Sequence, residues 1–242
     1  MLTELTPRPG RGRVTSLDRS VGAADVRPDG RARLDALARF IQDVGDEDST
    51  TADVETGIWV MRRLALRIER APKFRSVLAL STWCSGVGPR WAERRTDLAL
   101  DGDVVVSAAT LWAHLDPATF APAPIPPGFD AVWGEAAAGR RVSARLSHGP
   151  APGAAPRSVW PLRATDIDML GHVNNTAYWA AAEEELVRRA QTRVAWAEME
   201  FRGGLDAGDV VELHTAEHEG GFAIWFFVGD DVRASALVGS TT

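Results

Sequence analysis

Arg163-Ala-Thr-Asp166-Ile-Asp168-Met-Leu-Gly171-His172-Val-Asn174-Asn175-Thr-Ala-Tyr178-Trp179 is the stretch of this 242-residue chain on which the fold turns. From Asp166 to Asn175 it gathers two carboxylates, one imidazole and two side-chain amides. It stands between a short strand expected over Ser158 to Arg163 and a helix expected from about Asn175 to Arg189. Gly171 permits a tight turn, and Asn174 or Asn175 can cap the helix that follows. On composition alone the plainer reading is a capped loop of ordinary Asp and Asn turns. The chemical reading starts from the free N–H groups and positive dipole end of a helix start, which polarise a carbonyl and stabilise an oxyanion. A carboxylate beside them, Asp168, holds or deprotonates water, and His172 supplies a second polar contact or carries a proton.

Working outward, the pattern preceding this stretch occurs once before. Arg31 to Val44 places Leu34, Leu37, Ile41 and Val44 on one helical face, with Asp29 as its cap. From Gly57 the period changes, and Gly57 to Ile68, Ser76 to Trp83, Trp91 to Leu100 and Val104 to His114 read as antiparallel strands. Five prolines between Pro117 and Pro127 then take the chain out of the sheet, and Gly149 to Pro156 reads as an interdomain linker. After the second helix come strands near Arg193 to Phe201, Val210 to Ala216, Phe222 to Val228 and Val232 to Val238. A helix followed by strands, twice over, predicts two copies of one α+β unit, over residues 9–148 and 157–242.

Bulk properties narrow the function classes. A hydrophobic share of 45% and a charged share of 25% are those of a globular protein. The net charge of −6 argues against a nucleic-acid partner. The lone Cys84 excludes an internal disulfide and reads as a small buried hydrophobe, which suits a reducing, cytoplasmic setting. Met1 to Gly10 carries prolines and charges where a signal peptide has an apolar run, and no apolar run is long enough to span a bilayer. Between Arg62 and Arg95, nine basic residues face only Glu69 and Glu93. That run reads either as a solvated strand face or as a docking surface for an acidic protein.

The segment Asp168-Met-Leu-Gly-His172-Val-Asn-Asn-Thr-Ala-Tyr178 resembles the signature that opens the central helix of hotdog thioesterases. Three first-half blocks, Gly57-Ile-Trp59-Val-Met61-Arg62, Ser81-Thr-Trp83-Cys-Ser-Gly86-Val-Gly-Pro-Arg90-Trp-Ala-Glu-Arg94-Arg95 and Thr110-Leu-Trp112-Ala-His-Leu-Asp116, resemble the N-terminal half of plant and bacterial acyl-ACP thioesterases. The resemblance implies a tandem (double) hotdog, two antiparallel sheets each wrapped around a central helix. Its N-terminal half would shape the acyl site and its C-terminal half hold the catalytic groups. It implies hydrolysis of a fatty acyl thioester on acyl carrier protein, without metal or organic cofactor; the sequence leaves the oligomeric state open, a homodimer being one candidate. By position, Asp168 and His172 match the catalytic aspartate and histidine. Asn174 joins them as a catalytic candidate, with Asn175, Trp59 and Met61 as substrate-binding candidates.

Departures keep two other readings open: an acyl-CoA thioesterase, and an acyl-binding protein without turnover. Leu170 stands where the family commonly has asparagine, and its side chain has no hydrogen-bonding group. Gly204 and Leu205 align with positions that usually bring a glutamate or cysteine. Asp206 to Asp209 flank Gly208 and read as a turn, while Glu184 lies about 18 Å along a helix from His172, too far for a direct role. The nine tryptophans are read first as core filling; Trp59 and Met61, on one strand face, limit acyl length where they point inward.

Overall fold

The computed structural model describes residues 5–52, 57–191 and 193–240. Its strands are β1 (Thr15–Ser20), β2 (Ile58–Ile68), β3 (Val77–Val87), β4 (Trp91–Leu100), β5 (Asp103–Leu115), β6 (Arg157–Trp160), β7 (Trp196–Phe201), β8 (Val211–His218), β9 (Gly221–Val228) and β10 (Asp231–Gly239). The helices are α1 (Leu34–Thr51), a π-helical turn (Asp130–Gly134) running into the short α2 (Glu135–Ala137), and α3 (Asn175–Arg188).

The strands form one ten-stranded antiparallel sheet in the order β1-β3-β4-β5-β2-β7-β10-β9-β8-β6. This corrects the expectation of two sheets. β2 and β7 pair from Arg63↔Glu200 to Arg67↔Trp196 and join the halves edge to edge. The order reads the same from either end once each first-half strand is matched to its second-half counterpart, so the two halves are related by a pseudo-twofold axis between β2 and β7. Joining there removes two exposed strand edges, a known route to aggregation.

One face of the sheet is apolar. Leu64 and Leu66 of β2, Ala197 and Met199 of β7, and Ala234 and Ala236 of β10 alternate inward, where they share one core with Leu37, Ile41 and Val44 of α1 and Trp179, Ala182 and Leu186 of α3. α1 and α3 lie against each other within it. At α1 the cap differs from expectation. The helix starts at Leu34 with Arg33 as cap residue, and Asp29 instead accepts from the Arg31 N–H in the preceding turn.

The stretch that leads into the expected linker, up to its first residue Gly149, crosses the opposite face as a strap. Val142 N–H donates to Val87 O, Trp91 Nε1 to Val142 O, Arg63 Nη1 to Arg145 O, and Trp225 Nε1 to Gly149 O. β7 alternation points Glu198 and Glu200 to this face, where the strap buries them.

Candidate active site

The loop ahead of α3 is built by backbone bonds. A short 3-10 turn, Ala164–Asp166, is closed by Asp166, whose carboxylate accepts from the Arg163 N–H and guanidinium. Asp168 N–H then donates to His172 O at 2.8 Å and Gly171 N–H to Asp168 O at 3.0 Å, with Gly171 at φ +82°. A side chain strains that backbone, which explains the glycine. Val173 N–H donates to Leu205 O, tying the loop to the segment after β7.

Asp168 lines a cleft of about 470 Å³ between this loop, the start of α3 and the Asp35 to Asp43 face of α1. Its Oδ1 accepts from the Leu170 N–H at 2.9 Å. Asn174 lines the same cleft, but its side chain is committed: Oδ1 accepts from Thr176 N–H at 2.9 Å and Thr176 Oγ1 at 2.8 Å. It is the N-cap of α3. Asn175 is half-buried at the first helical position, and its N–H has no protein acceptor among the described residues.

His172 sits on the other side of the turn and is not a wall of that cleft. It is exposed, with Nδ1 2.7 Å from Asp206 Oδ1. Asp206 also closes the turn expected for it, its N–H donating to Asp209 Oδ2. It therefore serves both the turn and the imidazole. A Cβ at Gly204 would stand 3.7 Å from His172 Nδ1, so position 204 faces the ring and offers it no side chain. Leu170 and Met169 form an exposed apolar tip.

Trp59 and Met61 are separated, not paired. Trp59 is half-buried and lines a second pocket of about 200 Å³ with Trp112, Phe129, Trp133, Cys84 and the C-terminal end of α1. Met61 is buried in the main core and is not a wall of that pocket. Burial pushes the Cys84 thiol up to about 11, which keeps it protonated and unreactive.

The basic run also divides. Arg94 bonds buried Asp48, and buried Arg95 donates to Ala108 O. Arg62 and Arg63 are half-buried against backbone carbonyls, so only Arg67, Arg70, Lys73, Arg75 and Arg90 remain exposed. Glu183 is pinned by Arg27 and the Leu34 N–H.

A group with metal-ligating atoms, unforeseen in the sequence, converges under the strap: His148, Glu198 and Glu200, within 4.8 Å of one another. Glu200 already accepts from the Ser147 and His148 N–H groups and from Arg202, and His148 bonds Ser235 and Glu198. Those bonds, with a guanidinium in contact, make it a latch for the strap.

Against known proteins, residues 15–132 match the acyl-ACP thioesterase N-terminal domain and residues 152–231 the C-terminal domain. The chain belongs to the acyl-ACP thioesterase family. It is 28% identical over 240 residues to an uncharacterized protein of Mycobacterium tuberculosis, covering 97% of this chain and 95% of that one. Its fold is shared with an acyl-ACP thioesterase from Bacteroides thetaiotaomicron (TM-score 0.79, 19% identity, covering 93% and 96% of the two chains). A 12:0-ACP thioesterase from Umbellularia californica shares it too (TM-score 0.81, 17% identity, 95% and 97%). Among the described residues, no helix is long and apolar enough to cross a membrane.

Proposed function

We propose that this acyl-ACP thioesterase family member hydrolyses fatty acyl thioesters of acyl carrier protein in the cytoplasm, with residues 157–242 supplying the chemistry and residues 9–148 the acyl site. One observation carries the reading: Asp168 lines an open cleft together with Asn174 and Thr176 at the start of α3, with its Oδ1 oriented by Leu170 N–H. That leaves Oδ2 for a water. The water oxygen attacks the thioester carbonyl carbon and its proton passes to Asp168, while the Asn175 N–H and the α3 dipole steady the oxyanion. The C–S bond breaks as the intermediate collapses to the fatty acid, and the thiolate takes up the proton that Asp168 received, with His172 as the relay, which returns Asp168 to its ionised form. Asn174 acts by fixing the start of α3.

The missing polar side chains at Leu170 and Gly204 favour a second reading, an acyl-binding protein without turnover. One experiment separates the two: thiol release from a panel of acyl-ACPs and matching acyl-CoAs, for the wild type and Asp168→Asn. The hydrolase reading expects acyl-ACP turnover that falls by at least about a hundredfold in the variant. Bound fatty acid with no thiol release selects the second reading, and faster acyl-CoA turnover reassigns the carrier.

A further inference from the structure

The loop that opens α1 repeats the loop that opens α3, bond for bond, with an acid replaced by a base at two of the matched positions. Arg27 N–H donates to Arg31 O at 2.8 Å as Asp168 N–H does to His172 O, and Gly30 N–H to Arg27 O at 2.9 Å as Gly171 N–H does to Asp168 O. Ala32 N–H meets Pro72 O as Val173 N–H meets Leu205 O, and Arg33 N–H meets Asp25 O as Asn174 N–H meets Asp166 O. The bridge Arg31↔Lys73 matches His172↔Asp206, and Gly30 at φ +78° matches Gly171. Arg27 therefore stands where the second half has Asp168, Arg31 where it has His172, and Lys73 where it has Asp206.

Arg27 is turned inward onto Glu183. It shares a cleft with the other two: Arg27, Arg31 and Lys73 line a space of about 430 Å³ together with Arg70 and Arg193. Its floor is apolar, from Ile68 and Val194, and Glu69 is the acid in its wall. Two more acids stand near: Asp29 bonds Arg31, and exposed Asp103 lies 3.9 Å from Arg70. Lys73 and Arg193 are exposed and have no ion pair among the described residues.

We propose that this cleft, the counterpart of the catalytic loop, is a binding site for a phosphate-bearing anion of two or more negative charges. Lys73 and Arg193, the two cleft cations without ion pairs among the described residues, leave it with an excess of positive charge over Glu69, Asp29, Asp103 and Glu183 that an anion can neutralise, and guanidinium forks match phosphate oxygens. The apolar floor suits a ligand whose phosphates are attached to a flat or aliphatic body. A free diphosphate and a nucleotide phosphate ester share the anionic chemistry and differ at that floor.

Calorimetric titration of the full chain with inorganic pyrophosphate and with adenosine 3′,5′-bisphosphate, at constant ionic strength, tests the site. Saturable binding is expected in the wild type and in the control Arg157→Glu, an exposed residue of β6, and is weakened at least about tenfold by Lys73→Glu with Arg193→Glu. Tighter binding of the bisphosphate identifies a nucleotide ester as the source, and equal affinity identifies the free anion. Absence of saturable binding, or equal binding by the charge-reversed variant, overturns the site. No turnover is measured, so the result is independent of the hydrolase reading.

Discussion

His172 Nδ1 and Asp206 Oδ1 lie 2.7 Å apart, with both side chains more than half exposed. An ionised carboxylate only accepts, so this contact places the imidazole hydrogen on Nδ1 and leaves Nε2 as the nitrogen that the proposed mechanism uses to exchange a proton. Because the pair is exposed, it contributes little to folding. Asp206→Ala is therefore expected to lower kcat by about tenfold or more with the melting temperature unchanged. A variant that melts earlier but turns over normally would contradict the assignment.

Trp59 and Met61 make opposite predictions despite sitting two residues apart. If the pocket of about 200 Å³ beside Trp59 receives the acyl tail, Trp59→Ala lengthens it. Each further buried carbon is worth about 0.8 kcal/mol, roughly fourfold in kcat/KM, so the chain-length optimum moves to longer acyl groups. Met61 is 6% exposed in the main core, and Met61→Ala should cost about 2–5 kcal/mol of stability with the optimum in place. Acyl-length profiles and denaturant melts of both variants decide it; an unmoved optimum in Trp59→Ala removes Trp59 from the acyl site.

The elements that could be read from the sequence are those written in local periodicity. α3 and the strands β2, β4 and β9 fall within a residue or two of their expected bounds, because alternation and helical spacing are short-range signals. β1 was not legible: Thr15–Ser20 is an edge strand with polar residues on most positions, held by β3 far along the chain. The join of β2 to β7 escaped for a related reason, since which edge meets which is a tertiary fact that alternation alone does not encode. In the site, Asp168 and His172 stand out as residue types in a dense polar run. The Asp206 partnership does not, because its turn chemistry already accounts for it locally and the imidazole lies 34 residues away.

Glu200 holds the strap to the sheet. It is fully buried and accepts from the Ser147 and His148 N–H groups and from Arg202, while Arg62 stands near, its guanidinium held below the usual range by burial and then by Arg202. Glu200→Ala strands two backbone donors and an arginine. A loss of about 3–5 kcal/mol follows, with hydrogen exchange rising first over residues 140–149. Uniform exchange across the chain would show that the strap is held elsewhere.

Asp48 sets how the first half responds to acid. It is 1% exposed on α1 and gathers Arg13, Arg94 at 2.5 Å, Thr15 and Trp133 Nε1 at 2.8 Å, tying the amino-terminal segment, α1, β4 and the π-helical turn together. Burial raises its carboxyl, but the Arg94 charge and the hydrogen bonds from Thr15, Arg94 and Trp133 outweigh it, so the group lies below its ordinary 3.8. With the folded value depressed, the unfolded chain binds more protons between the two values. The stabilisation is complete above about pH 3.9, the unfolded value, and is lost as pH falls through the folded one. Asp48→Asn keeps the shape and removes the charge, so it should cost about 2–3 kcal/mol at pH 7, less than a fully dry pair because Arg13 and Arg94 retain contact with water. The difference from wild type should shrink as pH drops below 3.8, since the unfolded wild-type chain then takes up a proton that folded Asp48 accepts only at lower pH. Urea melts of both proteins at neutral and acid pH measure that difference; a gap that stays constant would mean that Asp48 acts through packing and not through its charge.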